Sequence, residues 1–175
     1  MMFTTFIQLP IAPTSSMRVI AVDPGYDRLG VAVMEYQNGS ELLIHSSCIE
    51  TDRSQALPDR LHSLGQQFAA LLKTYEPNTL AIETLFFNKN VTTAMGVAQA
   101  RGTLLYLAKG AGCVVYEFGP QEIKTAVTGY GKSDKRAVIE MVLRLVKNAP
   151  IKALDDEYDA IAVAITCLAT HGRNR

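Results

Sequence analysis

Val19-Ile20-Ala21-Val22-Asp23-Pro24-Gly25 decides how the chain is read. The apolar run makes a buried strand, and the Pro-Gly pair directly after Asp23 breaks it. The Asp23 carboxylate is thereby set at the end of a core strand. The apolar pattern resumes at Arg28-Leu29-Gly30-Val31-Ala32-Val33-Met34, so a second strand folds back beside the first through a tight turn. Asp before Pro-Gly is also ordinary turn chemistry. What argues for more is that further acidic residues stand in comparable settings.

Working outward, three strands come first, at about 17–23, 29–36 and 41–50, with Asn38-Gly39 as the hairpin turn between the last two. An amphipathic helix follows, carrying Leu57, Leu61, Leu64, Phe68, Leu71, Leu72 and Tyr75 on one face. Pro58 suits its first turn, and Pro77-Asn78 ends it. Thr79-Leu80-Ala81-Ile82-Glu83 is a second apolar strand that closes on a carboxylate. A helix rich in small residues (Ala94, Gly96, Ala98, Ala100, Gly102) spans about 91–109 and stops at Gly110. Each interior glycine costs roughly 1 kcal/mol relative to Ala, which close packing against another backbone offsets, as across a subunit interface. Cys113 to Glu117 is a fifth strand, and a short helix spans about Pro120 to Val127. Ser133 caps the next helix, whose face is Val138, Met141, Val142 and Leu145. The last helix starts near Asp155 and is apolar nearly all round, so it lies buried against the sheet. The order implies an α/β fold: a five-stranded mixed sheet flanked by helices on both faces.

The 175 residues suit one domain, expected over 17–175. Residues 1–16 carry no charge and lack the basic start of a secretory signal; they are expected to be a loosely ordered extension or an upstream start. No apolar run approaches the roughly 18 residues of a membrane span, so no membrane partner is expected. The formal net charge is +0, so no basic field announces a nucleic-acid binder. Cys48, Cys113 and Cys167 show no metal-ligand spacing and read as buried apolar groups of a reduced, cytoplasmic protein.

Asp23 and Glu83 both close apolar strands. Asp156 and Asp159 are three apart at the start of the last helix, so they share one helical face. Four converging carboxylates repel, and some would hold protons unless a cation neutralised them. Hard divalent cations with oxygen ligands answer that need, Mg²⁺ above all, with Mn²⁺ as a substitute. Two ions roughly 4 Å apart suit in-line phosphoryl displacement. The plainer account is that acids at a helix start complement its dipole. Asp155 fits that account as the N-cap; Asp159, one turn further in, does not.

Other residues suit DNA. Phe86 and Phe87 stand beside Lys89 directly after Glu83, and aromatics near a phosphodiester site stack on splayed bases. The stretch 120–148 holds Lys124, Lys132, Lys135, Arg136, Arg144 and Lys147 against Glu122, Asp134 and Glu140. Lysines after the Gly129-Tyr130-Gly131 turn suit phosphate contact, whereas Arg144 and Lys147 read as a solvated face. Arg101, in the small-residue helix, pairs with an acid or contacts phosphate; the sequence leaves both open.

From Met17 to about His171 the chain resembles the RuvC-type Holliday junction resolvases, which have a ribonuclease-H-like fold. The matching motifs are Ala21-Val22-Asp23-Pro24-Gly25, Ala81-Ile82-Glu83 with Phe86 and Lys89-Asn90, Gln99-Ala100-Arg101-Gly102, Gln121-Glu122-Ile123-Lys124, Gly129-Tyr130-Gly131 with Lys135, and Asp156-Glu157-Tyr158-Asp159-Ala160. The resemblance implies a homodimeric, Mg²⁺-dependent endonuclease of homologous recombination and DNA repair. It would nick two opposed strands of a four-way DNA junction symmetrically. It implies two Mg²⁺ ions held by Asp23, Glu83, Asp156 and Asp159, with Asp155 as a rival to Asp156. Phe86 would stack on a base, Lys124 and Lys135 would engage the junction near the cut, and Lys135 would stabilise developing charge or protonate the leaving oxygen. Lys89, Arg101 and Lys132 join the expected DNA contacts. The small-residue helix would form the dimer interface, and a branch-migration complex of RuvA/RuvB type would be the partner. The neutral charge and the extension before Met17 depart from the family. Two rival readings are an ATP-binding phosphotransferase of the actin-like kind, for which the chain lacks a second lobe, and a non-catalytic junction-binding module, which has no need of four acids where phosphate must sit.

Overall fold

Alternation along β1 (Met17–Asp23) sends its side chains into two separate cores. Val19 and Ala21 join one apolar cluster, and Ile20 and Val22 join the other. The computed structural model describes residues 16–37, 40–85 and 91–172. The expected Asn38-Gly39 turn and nearly all of the expected N-terminal extension lie outside them. β2 (Arg28–Gln37), β3 (Ser40–Glu50), β4 (Thr79–Glu83) and β5 (Val114–Phe118) complete one sheet in the order β3-β2-β1-β4-β5. The β1–β2 and β2–β3 pairs are antiparallel, whereas β1–β4 and β4–β5 are parallel. The sheet is therefore mixed, as expected.

Helices α1 (Leu57–Tyr75) and α2 (Val91–Gly110) cover the Ile20/Val22 face through Leu64, Phe68, Ala100 and Leu104. The other face takes α3 (Pro120–Thr128), α4 (Lys135–Leu145) and α5 (Asp155–His171). Every residue of α5 from Ala160 to Leu168 is buried, because this helix has sheet on one side and α3 and α4 on others. Among the described residues no helix is long and apolar enough to cross a membrane.

Small departures from the sequence reading have local causes. α2 continues through Gly110, and the left-handed residue that turns the chain is Gly112, at φ +84°. The N-cap of α4 is Asp134, not Ser133: the Asp134 carboxylate accepts a bond from Ala137 N at 2.8 Å. Ser133 Oγ instead donates to Tyr130 O at 2.8 Å and tightens the preceding turn. Leu154, not Asp155, is the N-cap of α5. Cys113 and Cys167 are buried as expected, but Cys48 on β3 is only half-buried.

Gly30 fixes how α5 meets the sheet. It pairs with Asp23 across the β1–β2 ladder. An ideal Cβ on Gly30 would lie 1.8 Å from the Asp156 carbonyl oxygen and 2.4 Å from its carbonyl carbon. Only glycine permits this approach of helix backbone to strand backbone. Gly30→Ala is therefore expected to lift the first turn of α5 off β2 and to destabilise the protein by about 3 kcal/mol. The midpoint of urea unfolding measures this, and an unchanged midpoint would refute the tight contact.

Candidate active site

Strand register brings the first two acids together. Val22 pairs with Ile82 in the parallel β1–β4 ladder, so Asp23 and Glu83 follow side by side. Ala21 and Ala81 lie in the α5-facing cluster, and the period of two puts Asp23 and Glu83 on that same face. The first turn of α5, held down by Gly30, adds Asp156 and Asp159. Lys135, the first residue of α4, places Nζ 3.0 Å from Asp159 Oδ2 and 3.3 Å from Asp155 Oδ2.

Two clefts meet at Glu83 and Pro120. One, of about 230 Å³, is lined by Glu83, Lys124, Lys135 and Asp159 together with apolar residues of α3, α4 and α5. The other, of about 280 Å³, is lined by Asp23, Pro24, Glu83, Thr84, Leu85 and Pro120. Asp23, Glu83 and Asp159 thus border a depression that Lys124 and Lys135 also line.

Burial and mutual repulsion shape the charges. The Asp23 carboxyl is pushed up to about 7, chiefly by burial and then by the charges of Asp159, Glu83 and Asp156. Burial, then Asp159, also raises Glu83. Asp159 is raised by burial despite the opposing hydrogen bond and charge of Lys135. Burial pulls Lys135 down, but the hydrogen bonds and charges of Asp159 and Asp155 outweigh it and leave the ammonium above its ordinary value.

Asp156 Oδ2 is buried and accepts no hydrogen bond. Arg28 Nε stands 3.2 Å from it, close enough to pair as a charge but too oblique to donate. Among the described residues no three acidic, histidine or cysteine side chains already converge on one point. Asp159 Oδ2 is turned to Lys135 and Asp156 Oδ2 lies beside Arg28, so these carboxylates would have to rotate to share an ion.

Of the other expected residues, Asp155 is 62% exposed against 21% for Asp156. Asp156 acts on Asp23 and on Asp159, whereas Asp155 acts on Asp159 and Lys135. The geometry favours Asp156 for the cluster. Lys124 lines the first cleft, and Lys132 is exposed in the turn before α4. Arg101 is largely buried and pairs with Glu117 on β5. Phe86 and Lys89 lie outside the described residues. The sequence reading missed Arg28, although alternation along β2 puts it on the Gly30 face. It also missed Arg60, a buried residue of α1 that donates to Thr51 Oγ1 at 3.0 Å, to Tyr26 O at 3.2 Å and to Asp27. Arg60 fixes the turn after Asp23, and no local pattern marks such a long-range partner.

A family model described as crossover junction endodeoxyribonuclease RuvC matches residues 19–167. The chain belongs to the RuvC family. A RuvC of Finegoldia magna is 41% identical over 149 residues, covering 85% of this chain and 91% of that protein. A RuvC of Thermosipho melanesiensis is 42% identical over 157 residues, covering 90% and 99%. A solved structure described as Thermus thermophilus RuvC in complex with Holliday junction substrate superposes with a TM-score of 0.80 at 28% identity, covering 86% of this chain and 92% of that one. The fold is accordingly ribonuclease-H-like, as the resemblance implied.

The raised Asp23 carboxyl gives a signed pH dependence. Its folded value, about 7, exceeds the unfolded value of roughly 3.9. The stability it contributes is therefore fully present below about pH 4 and is lost as pH rises through about 7. In a chelator, the melting temperature should carry a downward contribution across that window. Asp23→Asn should remove the contribution and be more stable than wild type at pH 8. Equal melting temperatures of the two proteins at pH 8 would refute the assigned burial and repulsion.

Proposed function

We propose that this member of the crossover junction endodeoxyribonuclease family cuts four-way DNA junctions by phosphodiester hydrolysis at Asp23, Glu83, Asp156 and Asp159. The observation that carries the assignment is that burial, and then the like charges gathered at one sheet end, push Asp23 up to about 7. Such a cluster suits hard cations with oxygen ligands, and Asp156 Oδ2, buried without a hydrogen bond and only ion-paired to Arg28, is a suitable ligand atom. The donor set therefore fits divalent ions, Mg²⁺ at two per site, with Mn²⁺ able to substitute. When bound, they would neutralise the carboxylates and polarise the scissile phosphate and the attacking water.

The chain's own residues do the rest. Asp23, Glu83, Asp156 and Asp159 would hold the ions, and Lys124 and Lys135 would face the phosphate from the first cleft. Lys135, which pairs with Asp159 and Asp155 in the ion-free site, would stabilise developing charge or protonate the leaving oxygen. Lys132 would touch backbone phosphate; Phe86 and Lys89 carry the base-stacking and phosphate roles that the family resemblance gives them.

A homodimer would place two such sites about a two-fold axis and yield paired, symmetric nicks. What supports it is α2: an added Cβ at Gly102 would meet nothing within 4 Å, and Met95 and Tyr106 are 65% and 80% exposed on the same helix. Family membership alone supports a branch-migration complex of RuvA/RuvB type as partner, a role in recombination and repair, and a cytoplasmic site of action.

With a synthetic mobile four-way junction and Mg²⁺, wild type should give symmetric nicks. Asp23→Asn and Asp159→Asn should bind the junction without cutting it, and Lys135→Ala should cut about 10²-fold more slowly. Cutting by Asp159→Asn at the wild-type rate would remove Asp159 from the site.

A further inference from the structure

Arg28 opens β2, and the chain around it is tightly held. An ideal Cβ on Gly25 would lie 2.2 Å from the Arg28 carbonyl oxygen. Asp27 O accepts from Thr51 N at 3.0 Å, and Arg28 itself pairs with Glu50 on β3. The Arg28 backbone is thus fixed at the rim of the acidic cluster, one strand from Asp23. Its Nε lies 3.2 Å from Asp156 Oδ2 and does not hydrogen-bond to it. The side chain is 42% exposed, so the guanidinium faces both the cluster and the solvent above it. Its forked donors match the oxygens of a phosphate.

We propose that Arg28 is a positioning residue that occupies Asp156 in the cation-free protein and passes to a backbone phosphate of the junction when a divalent cation takes Asp156 Oδ2. The proposal rests on the reading of Asp156 as an ion ligand. An oblique, half-exposed ion pair is weak, so a cation displaces it readily. The displaced guanidinium cannot leave, because its backbone is fixed. It stays beside the cluster with its donors free at the moment when the local charge has become favourable to phosphate. Cation binding and DNA binding are thereby coupled through one side chain.

The test uses the full chain, with Ca²⁺ as the probe and cutting monitored on the same gels. Ca²⁺ affinity without DNA, and the salt dependence of junction binding in Ca²⁺ and in a chelator, are compared for wild type, Arg28→Gln, Arg28→Lys and Asp156→Asn. Arg28→Gln should bind Ca²⁺ about two- to fivefold more tightly than wild type, because the competing charge is gone. In Ca²⁺ its slope of log affinity against log salt should be shallower by about one, the signature of one lost phosphate contact. In the chelator its slope should match wild type, and Arg28→Lys should restore the slope in Ca²⁺. A merely structural arginine would weaken both ligands together. Unchanged or weaker Ca²⁺ binding by Arg28→Gln, or an equal slope change in the chelator, overturns the proposal and leaves the ion site standing. Ca²⁺ binding by Asp156→Asn as tight as by wild type removes Asp156 as a ligand, and the proposal falls with that assignment.

Discussion

The backbone of α5 rests on β2 at Gly30, and from this contact the geometry of the acidic cluster follows. A side chain at that position would hold the helix away from the strand, and Asp156 and Asp159 would no longer stand over Asp23 and Glu83. The contact brings like charges together, which is unfavourable. It persists because α5 is buried along nearly its whole length, among Val19, Ala21, Ala32, Met34 and the apolar faces of α3 and α4. Hydrophobic burial well below the cluster thus anchors a first turn that electrostatics alone would push away.

Within the cluster the compensation is divided between two cations from different elements. Lys135, at the start of α4, bridges Asp155 and Asp159. Arg28, at the start of β2, stands against Asp156. Asp23 and Glu83 lie between these pairs, more deeply set and without a salt-bridge partner among the described residues. This explains why Asp23 is raised furthest. The outer acids have protein cations in direct contact, whereas Asp23 feels Lys135, and Glu83 feels Lys124 and Lys135, without an ion pair.

Much of this was legible in the sequence because it is local. The bounds of β1 follow from its apolar run and the Pro-Gly break, and Asp23 and Glu83 stand out because each ends such a run. The burial of α5 follows from its composition. What escaped was set by partners distant in the chain. Arg60 is 33 residues from Asp27, and nothing near either residue announces the pair. For Arg101 the sequence could name no particular acid, and only the fold brings Glu117 of β5 beside it. The caps were misassigned by one residue because the Asp134 carboxylate rather than the Ser133 hydroxyl accepts from Ala137 N, and because extended backbone at Leu154 begins α5 with no side-chain cap.

The net charge of zero also finds a physical account in this arrangement. A binder of DNA commonly presents a basic surface, but this chain places a dense set of acids where a phosphate would have to approach. Lys124, Lys132 and Lys135 lie around that set, and Arg28 stands against it. With the carboxylates bare, the centre repels phosphate and the rim attracts it. Two divalent cations would add a charge of about +4 at the centre, enough to cancel the four carboxylates without altering a residue. The basic rim would then act on phosphate unopposed. A strongly basic surface would hold duplex DNA whether or not the site was filled; a neutral chain with a convertible centre ties strong binding at the cluster to readiness for the cut.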